Sequence, residues 1–375
     1  MSDAVTPVTV PKWGLAMDEG RVAGWHVAQG EAVSKGQEIV DIETEKITNA
    51  CEAPADGVLR RRLAEEGDKL PVGALLGVVA PAETSDEEID QFVERFQADA
   101  ARRAEEAGAE EAPEPQTLAT EHGELRYLKM GDGEATPVLF IHGFGGDLNS
   151  WLFVQPEVAQ GRPTYALDLP GHGGSSKRLP GQGVAGLAAA VAAFAEAMEL
   201  PRAHLVGHSL GAAVAMELAT AGALEAASLT LIAPAGLGAD INMDYVNGFV
   251  GAARRKEMKP VLQLLFADPS LVSRDMVQEV LKYKRLDGVD AVLRELVDAV
   301  FRGDAQAMDY RDALAGWNGP AQIIWGREDR VISPSHAEGL PQSIDVEVLD
   351  DAGHMVHMEQ ARAVAERLAA LLDER

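Results

Sequence analysis

Ser209 stands in Gly207-His208-Ser209-Leu210-Gly211, between the apolar run His204-Leu205-Val206 and the strong helix formers Ala212 to Leu218. A serine hydroxyl is a weak nucleophile at neutral pH until an imidazole removes its proton. An aspartate behind that imidazole fixes its tautomer and stabilises the imidazolium. Both partner types follow in the chain. Asp329 ends Trp325-Gly326-Arg327-Glu328-Asp329, directly after an apolar run, and His354 ends Asp351-Ala352-Gly353-His354, after the next one. The developing oxyanion needs donors, and His142-Gly143-Phe144-Gly145-Gly146 offers the backbone N–H of Phe144 beside that of Leu210. Each such donor is typically worth about 2.7 to 4 kcal/mol of barrier. This is the equipment of acyl transfer through a serine ester. Glu328 is the alternative acid, His357 reads as a neighbour of the base, and His142 and His172 read as turn residues.

Lys46 has a different chemistry. It lies in Glu43-Thr44-Glu45-Lys46-Ile47, after the strand-like Ile39-Val40-Asp41-Ile42 and before a plausible return strand, Ile47-Thr48-Asn49-Ala50. That context predicts an exposed hairpin tip. An internal repeat frames it: Gly30-Glu31-Ala32-Val33-Ser34-Lys35-Gly36 recurs 37 residues later as Gly67-Asp68-Lys69-Leu70-Pro71-Val72-Gly73. Two related β-halves must then pack about a pseudo-twofold, since each alone is too small to bury its apolar face. A lysine so presented can carry a covalently attached group. The alternative is an ordinary solvated hairpin lysine, which no repeat would need to frame.

The elements that must position these residues can be read from the chain. From about 118 to 375 apolar strands alternate with amphipathic helices, the pattern of a sheet with helices on both faces. Val138-Leu139-Phe140-Ile141, Thr164-Tyr165-Ala166-Leu167, His204-Leu205-Val206, Leu229-Thr230-Leu231-Ile232, Gln322-Ile323-Ile324-Trp325 and Val346-Glu347-Val348-Leu349 are the expected strands, with a last amphipathic helix from Glu359 to Asp373. Between Leu237 and Ala315 strand signal gives way to helical periodicity, which reads as an inserted cap.

Residues 82–117 form an acidic linker, with twelve acidic residues against three arginines from Ala82 to Gln116. Such a segment cannot build a core of its own. Ser85 with Glu88 matches a capping box, and Ile89, Phe92, Val93 and Phe96 follow at helical spacing, so part of it is helical. That stripe packs either on its own chain or on a partner protein.

Composition excludes several classes. The chain has 375 residues, ample for two cores, and a formal charge of -27, which opposes binding to nucleic acid. No run approaches the roughly 18 apolar residues of a membrane span. No basic stretch followed by an apolar run opens the chain, so no signal peptide is expected. The single cysteine, Cys51, reads as a small buried residue and fits a reducing, cytoplasmic location.

The strand–turn–helix context of Gly207–Gly211 and the chain order Ser209, Asp329, His354 resemble the α/β-hydrolase family over residues 118–375, with a helical cap at about 237–315. The acid position of that family falls on Asp329 rather than Glu328. The glycine-bearing half-repeats, Glu43, Glu45, Lys46 and the return segment Glu52-Ala53-Pro54-Ala55-Asp56-Gly57 resemble an all-β lipoyl domain, residues 1–81. Biotin carriers share that fold but flank their lysine with methionines. Here Glu45 and Ile47 flank it, which favours lipoic acid on Lys46, although the usual lipoyl pattern is Asp-Lys-Ala.

The combination resembles the dihydrolipoyl acetyltransferase components of acetoin dehydrogenase complexes. That resemblance implies passage of acetyl from lipoyl-Lys46 to coenzyme A through Ser209, His354 and Asp329. It further implies a thiamine-diphosphate-dependent acetoin dehydrogenase component and dihydrolipoyl dehydrogenase as partners in an oligomeric complex, with no metal. Ordinary acyltransferase components use a trimeric catalytic fold and a compact subunit-binding domain, and neither is found in this sequence. Coenzyme A has no signature here either. Arg254, Arg255, Lys256 and Lys259 could meet its phosphates or could simply form a solvated helix face. Two rivals stay open: a tethered thioesterase or esterase releasing acyl groups to water, and a lipoyl carrier with an inert hydrolase domain.

Overall fold

The repeat seen in the sequence is a repeat of backbone geometry. Gly30 and Gly67 have φ of 93° and 97°, and Gly36 and Gly73 have 81° and 82°, a left-handed region in which side chains are strained. Equivalent turns close around them: the amide of Ala28 donates to Glu31 Oε2 and that of Glu65 to Asp68 Oδ2. The computed structural model describes residues 5–11, 19–43, 48–107 and 113–373, and the chain divides into two units, residues 1–112 and 113–375.

The first unit contains β1 (Thr6–Thr9), β2 (Glu19–Trp25), β3 (Ala32–Val33), β4 (Glu38–Glu43), β5 (Thr48–Glu52), β6 (Gly57–Arg62), β7 (Lys69–Pro71) and β8 (Leu75–Ala80). They form two four-stranded sheets, ordered β1-β8-β6-β3 and β5-β4-β2-β7. Val8, Val22, Ile39, Ile42, Leu59 and Leu76 fill the core. β4 and β5 pair antiparallel, with Glu43 opposite Thr48. Lys46 falls between them and lies outside the described residues.

The helix α1 (Asp86–Ala107) follows. Its capping box is formed, with the Glu88 amide donating to Ser85 Oγ and the Ser85 amide to Glu88 Oε2. Ile89 is fully buried, and α1 packs on β8. Arg60 and Arg61 reach Asp86 and Asp90. The start of the apolar stripe therefore docks on its own unit, while Phe92, Val93 and Phe96 are half-buried.

The second unit is an eight-stranded sheet of β9 (Gln116–Thr120), β10 (Gly123–Met130), β11 (Val138–Ile141), β12 (Thr164–Leu167), β13 (Arg202–His208), β14 (Glu225–Ile232), β17 (Ala321–Gly326) and β18 (Asp345–Leu349). The order is β18-β17-β14-β13-β11-β12-β10-β9, parallel from β18 to β12 and antiparallel at the β12-β10 and β10-β9 pairs. The central strands are apolar on both faces because helices cover both. Leu139 and Ile141 pack with α3 (Gly183–Ala197) and α4 (Leu210–Ala221), whereas Val138 and Phe140 face Trp151, Val154, Val364 and Leu368. The latter come from the segment entering α2 (Gln155–Val158) and from α11 (Ala361–Asp373), which is preceded by α10 (Val356–Glu359).

Between β14 and β17 lie α5 (Met243–Gly251), α6 (Arg255–Gln263), α7 (Arg274–Lys284), α8 (Val289–Val300) and α9 (Arg311–Ala315). A small hairpin interrupts them, β15 (Phe301–Arg302) paired with β16 (Ala305–Gln306), where the sequence shows only helical periodicity. With two residues per strand, it is too short to leave an alternating pattern.

Candidate active site

The turn after β13 forces Ser209 to φ 52° and ψ -116°, a backbone region that a non-glycine residue occupies at a cost of about 1–3 kcal/mol. Four bonds hold it there. The Ser209 amide donates to Ile232 O at 2.9 Å, and Ser209 O accepts from the amides of Ala212, Ala213 and Ala235. The flanking glycines are needed for close approach. A Cβ on Gly211 would overlap the carbonyl of Ile141, and one on Gly207 would meet the amide of Ala212 at 2.6 Å. Gly143 brings the β11 loop to the same place, since its Cβ would lie 3.0 Å from that of Ser209.

Asp329 and His354 meet at 2.8 Å, Oδ2 to Nδ1, with both side chains buried. Asp329 is saturated with donors. Its Oδ2 also accepts from Trp325 Nε1 at 2.9 Å, and its Oδ1 accepts from the amides of Val331 and Ile332 at 2.8 and 3.0 Å. A carboxylate held this way is fixed in orientation. Glu328, the alternative acid, turns away and accepts from the amide of Ala352 at 3.1 Å. His208, which precedes Ser209 in the chain, has its ring 4.8 Å from that of His354. Among the described residues Ser209 Oγ has no hydrogen-bond partner; such contacts are often long before substrate binds.

Leu210 opens α4, where the first amides have no partner within the helix. Phe144 is oriented by the cap: Tyr245 Oη donates to Phe144 O at 3.0 Å, and the Phe144 ring packs edge-on against Phe249. Phe144, Leu210 and Ser209 line one cavity with Ala235, Ile241, Tyr245, Val246 and Val331. Its wall is almost entirely apolar.

His142, His172, His208 and His357 are buried as well. His142 accepts the amide of Leu169 on Nε2, and its Nδ1 approaches Gly143 O at 2.7 Å. Burial pushes His172 and His357 down to about 3, and burial with the neighbouring His357 and His354 holds His208 well below the usual range. These rings stay neutral around His354. Arg254, Arg255, Lys256 and Lys259 sit exposed at the start of α6 and do not line the Ser209 cavity. No group of three metal-ligand side chains occurs among the described residues.

Several supporting residues carry no sequence signal. Glu359 accepts from the amides of Gly353 and Ala267, tying the His354 loop to the cap. Tyr245 and Trp325 look like ordinary core aromatics in the sequence. Only the fold shows that their polar atoms serve Phe144 and Asp329.

Fold and site together define a carrier domain joined to an α/β-hydrolase with a serine elbow. Residues 6–79 match the family described as biotin-requiring enzymes, and residues 138–367 match the alpha/beta hydrolase family. The chain is 46% identical to the dihydrolipoyllysine-residue acetyltransferase component of the acetoin cleaving system of Pseudomonas putida, over 97% of this chain and 98% of that one. The corresponding protein of Cupriavidus necator is also 46% identical, over 96% of each. Among solved structures, a meta-cleavage product hydrolase from Pseudomonas fluorescens IP01 aligns with a TM-score of 0.61 at 20% identity, covering 69% of this chain and 97% of its own, a likeness of fold alone. The chain belongs to the family of dihydrolipoyllysine-residue acetyltransferase components of acetoin cleaving systems. No helix among the described residues is long and apolar enough to cross a membrane.

Proposed function

We propose that this chain transfers acetyl from a lipoyl group on Lys46 to coenzyme A, with Ser209 as nucleophile, His354 as base and Asp329 as its orienting acid. The observation that carries the reading is the 2.8 Å Asp329–His354 contact, with the carboxylate saturated by three further donors, beside a strained serine turn. The carrier domain fits the group: β4 and β5 pair up to Glu43 and Thr48, the described residues on either side of Lys46. A lipoyl group bound there would supply the acyl thioester, at an effective concentration of roughly millimolar through its tether.

The chain's own residues do the rest. His354 takes the Ser209 proton as Oγ attacks the thioester carbonyl. The amides of Phe144 and Leu210 hold the oxyanion. As the C–S bond breaks, His354 returns the proton to the departing sulfur, leaving acetyl on Ser209. Coenzyme A then attacks that ester. His354 takes the thiol proton and delivers it to Ser209 Oγ, releasing acetyl-CoA. Arg254, Arg255, Lys256 and Lys259 are the proposed phosphate contacts. A thiamine-diphosphate-dependent acetoin dehydrogenase and a dihydrolipoyl dehydrogenase are the proposed partners, in a cytoplasmic complex.

The test supplies acetyl-dihydrolipoamide with and without coenzyme A and quantifies acetyl-CoA and acetate. Acetyl-CoA formation abolished by Ser209→Ala supports the reading. Acetate released regardless of coenzyme A would make the chain a tethered thioesterase, and neither product would leave a carrier. Lys46→Arg is expected to abolish lipoylation while sparing reaction with the free donor.

A further inference from the structure

The Ser209 cavity is small, about 20 Å³, and has a neighbour of different character. Beside it lies a groove of about 580 Å³ whose lining includes Glu217, Glu295 and Asp298, with Arg302 as its basic residue. Val300 and Met308 line both spaces, so these two side chains are the partition. They are held differently. Val300 is buried at the end of α8, where its carbonyl accepts from the amide of Ala307 at 2.9 Å. Met308 follows the β15-β16 hairpin and is half-buried. It packs over Gly236, where a Cβ would come within 3.2 Å of its Cγ. The hairpin is itself anchored, since Gln306 Oε1 accepts from the amide of Gly236 at 2.8 Å and its Nε2 donates to Asp240 O at 3.0 Å.

We propose that Met308 closes the far end of the acyl pocket and sets the longest acyl chain that Ser209 accepts. The proposal rests on the reading of Ser209 as the nucleophile. A short acyl group ends against Met308, in a cavity whose other walls are apolar. A longer chain must displace a side chain anchored on a fixed hairpin. Methionine is unbranched and fills such a gap well, but truncating it would join the pocket to the groove. The groove's three carboxylates against one arginine oppose a polyphosphate, so the opened space would accept an acyl tail rather than the nucleotide end of a cofactor.

The experiment measures kcat/KM of the full chain with p-nitrophenyl acetate, butyrate and octanoate, a readout that needs neither lipoyl group nor coenzyme A. The wild type is expected to favour acetate over octanoate by about tenfold or more, since misfit in an apolar pocket is worth roughly that much per step. Met308→Ala is expected to raise the octanoate-to-acetate ratio about tenfold, and Met308→Leu, which conserves volume, to keep the wild-type preference. A wild-type profile that is flat, or one unchanged in a Met308→Ala protein with cooperative thermal unfolding, overturns the proposal. If Met308→Ala does not fold, Val300→Ala breaches the same partition and must shift the ratio in the same direction. Ester turnover that survives Ser209→Ala would defeat the underlying assignment of the nucleophile, a failure distinct from an unshifted chain-length profile.

Discussion

The Nε2–H of His208 donates to the carbonyl oxygen of His354 at 2.9 Å. This bond joins the serine turn to the loop that carries the proposed base, across 146 residues of sequence. It requires the proton on Nε2, and burial, with His357 and His354 nearby, keeps the ring neutral. A second positive charge beside His354 would oppose formation of its imidazolium, so a neutral donor is the compatible partner.

His208→Phe keeps the ring contact with His354 and removes the donor. The buried His354 carbonyl then lacks a partner, a loss of about 1–3 kcal/mol. The expected outcome is a lower thermal midpoint together with a reduced kcat and little change in KM for coenzyme A. Thermal unfolding and steady-state kinetics check both. An unchanged kcat would show that the bond does not position the base.

Asp329 and Glu328 are adjacent carboxylates with opposite assignments. Asp329→Asn keeps the shape but loses the acceptor that fixes the His354 tautomer, and the transfer rate should fall by up to about 10⁴. Glu328→Gln can still accept from the Ala352 amide, so its rate should stay within about threefold, the scale of a surface change without a chemical role. Single-turnover acetyl transfer reads both. Comparable losses in the two variants would mean that the acid has been misassigned.

Much of this arrangement was legible in the sequence because it rests on local rules. The G-x-S-x-G turn needs glycines on either side whatever else happens, and the central strands show as apolar runs since both faces are covered. β9 and β10 do not stand out, because Gln116 to Met130 mixes polar and apolar residues, as strands toward the margin of a sheet do. The last helix, expected from Glu359, starts at Ala361. Glu359 is turned instead to the amides of Gly353 and Ala267. The bond to Ala267 joins residues 92 apart, and no periodicity records it. Tyr245 on Phe144 and Met308 over Gly236 belong to the same class.

Gly211 tests how tightly the elbow is built. A Cβ there would overlap the backbone carbonyls of Ile141 and His142, which cannot move without shifting β11. Gly211→Ala is therefore expected to cost more than about 3 kcal/mol and to lower soluble yield, since backbone rather than a flexible side chain must yield. Gly222→Ala, at a left-handed helix terminus with open space around it, should cost only about 1 kcal/mol. Chemical denaturation of the two variants gives the comparison, and equal losses would contradict the close approach at Gly211.

Acid sensitivity follows from the buried imidazoles. His357 lies between the rings of Trp151 and His208, and neither of its nitrogens has a hydrogen-bond partner among the described residues. Burial, with His354 nearby, moves its pKa from 6.5 down to about 3. Above pH 6.5 the ring is neutral in both folded and unfolded chains and contributes no pH dependence. Between 6.5 and about 3 the unfolded chain binds a proton that the folded chain refuses, so stability falls as pH falls, by up to about 1.4 kcal/mol per pH unit. From pH 7 to pH 5 this one residue should remove about 2 kcal/mol. His357→Phe keeps an aromatic ring between Trp151 and His208 and abolishes that titration. Its urea midpoint should therefore drop less between pH 7 and pH 5 than that of the wild type, while other buried histidines such as His172 leave a residual slope. Parallel losses in the two proteins would mean that His357 is protonated in the folded state.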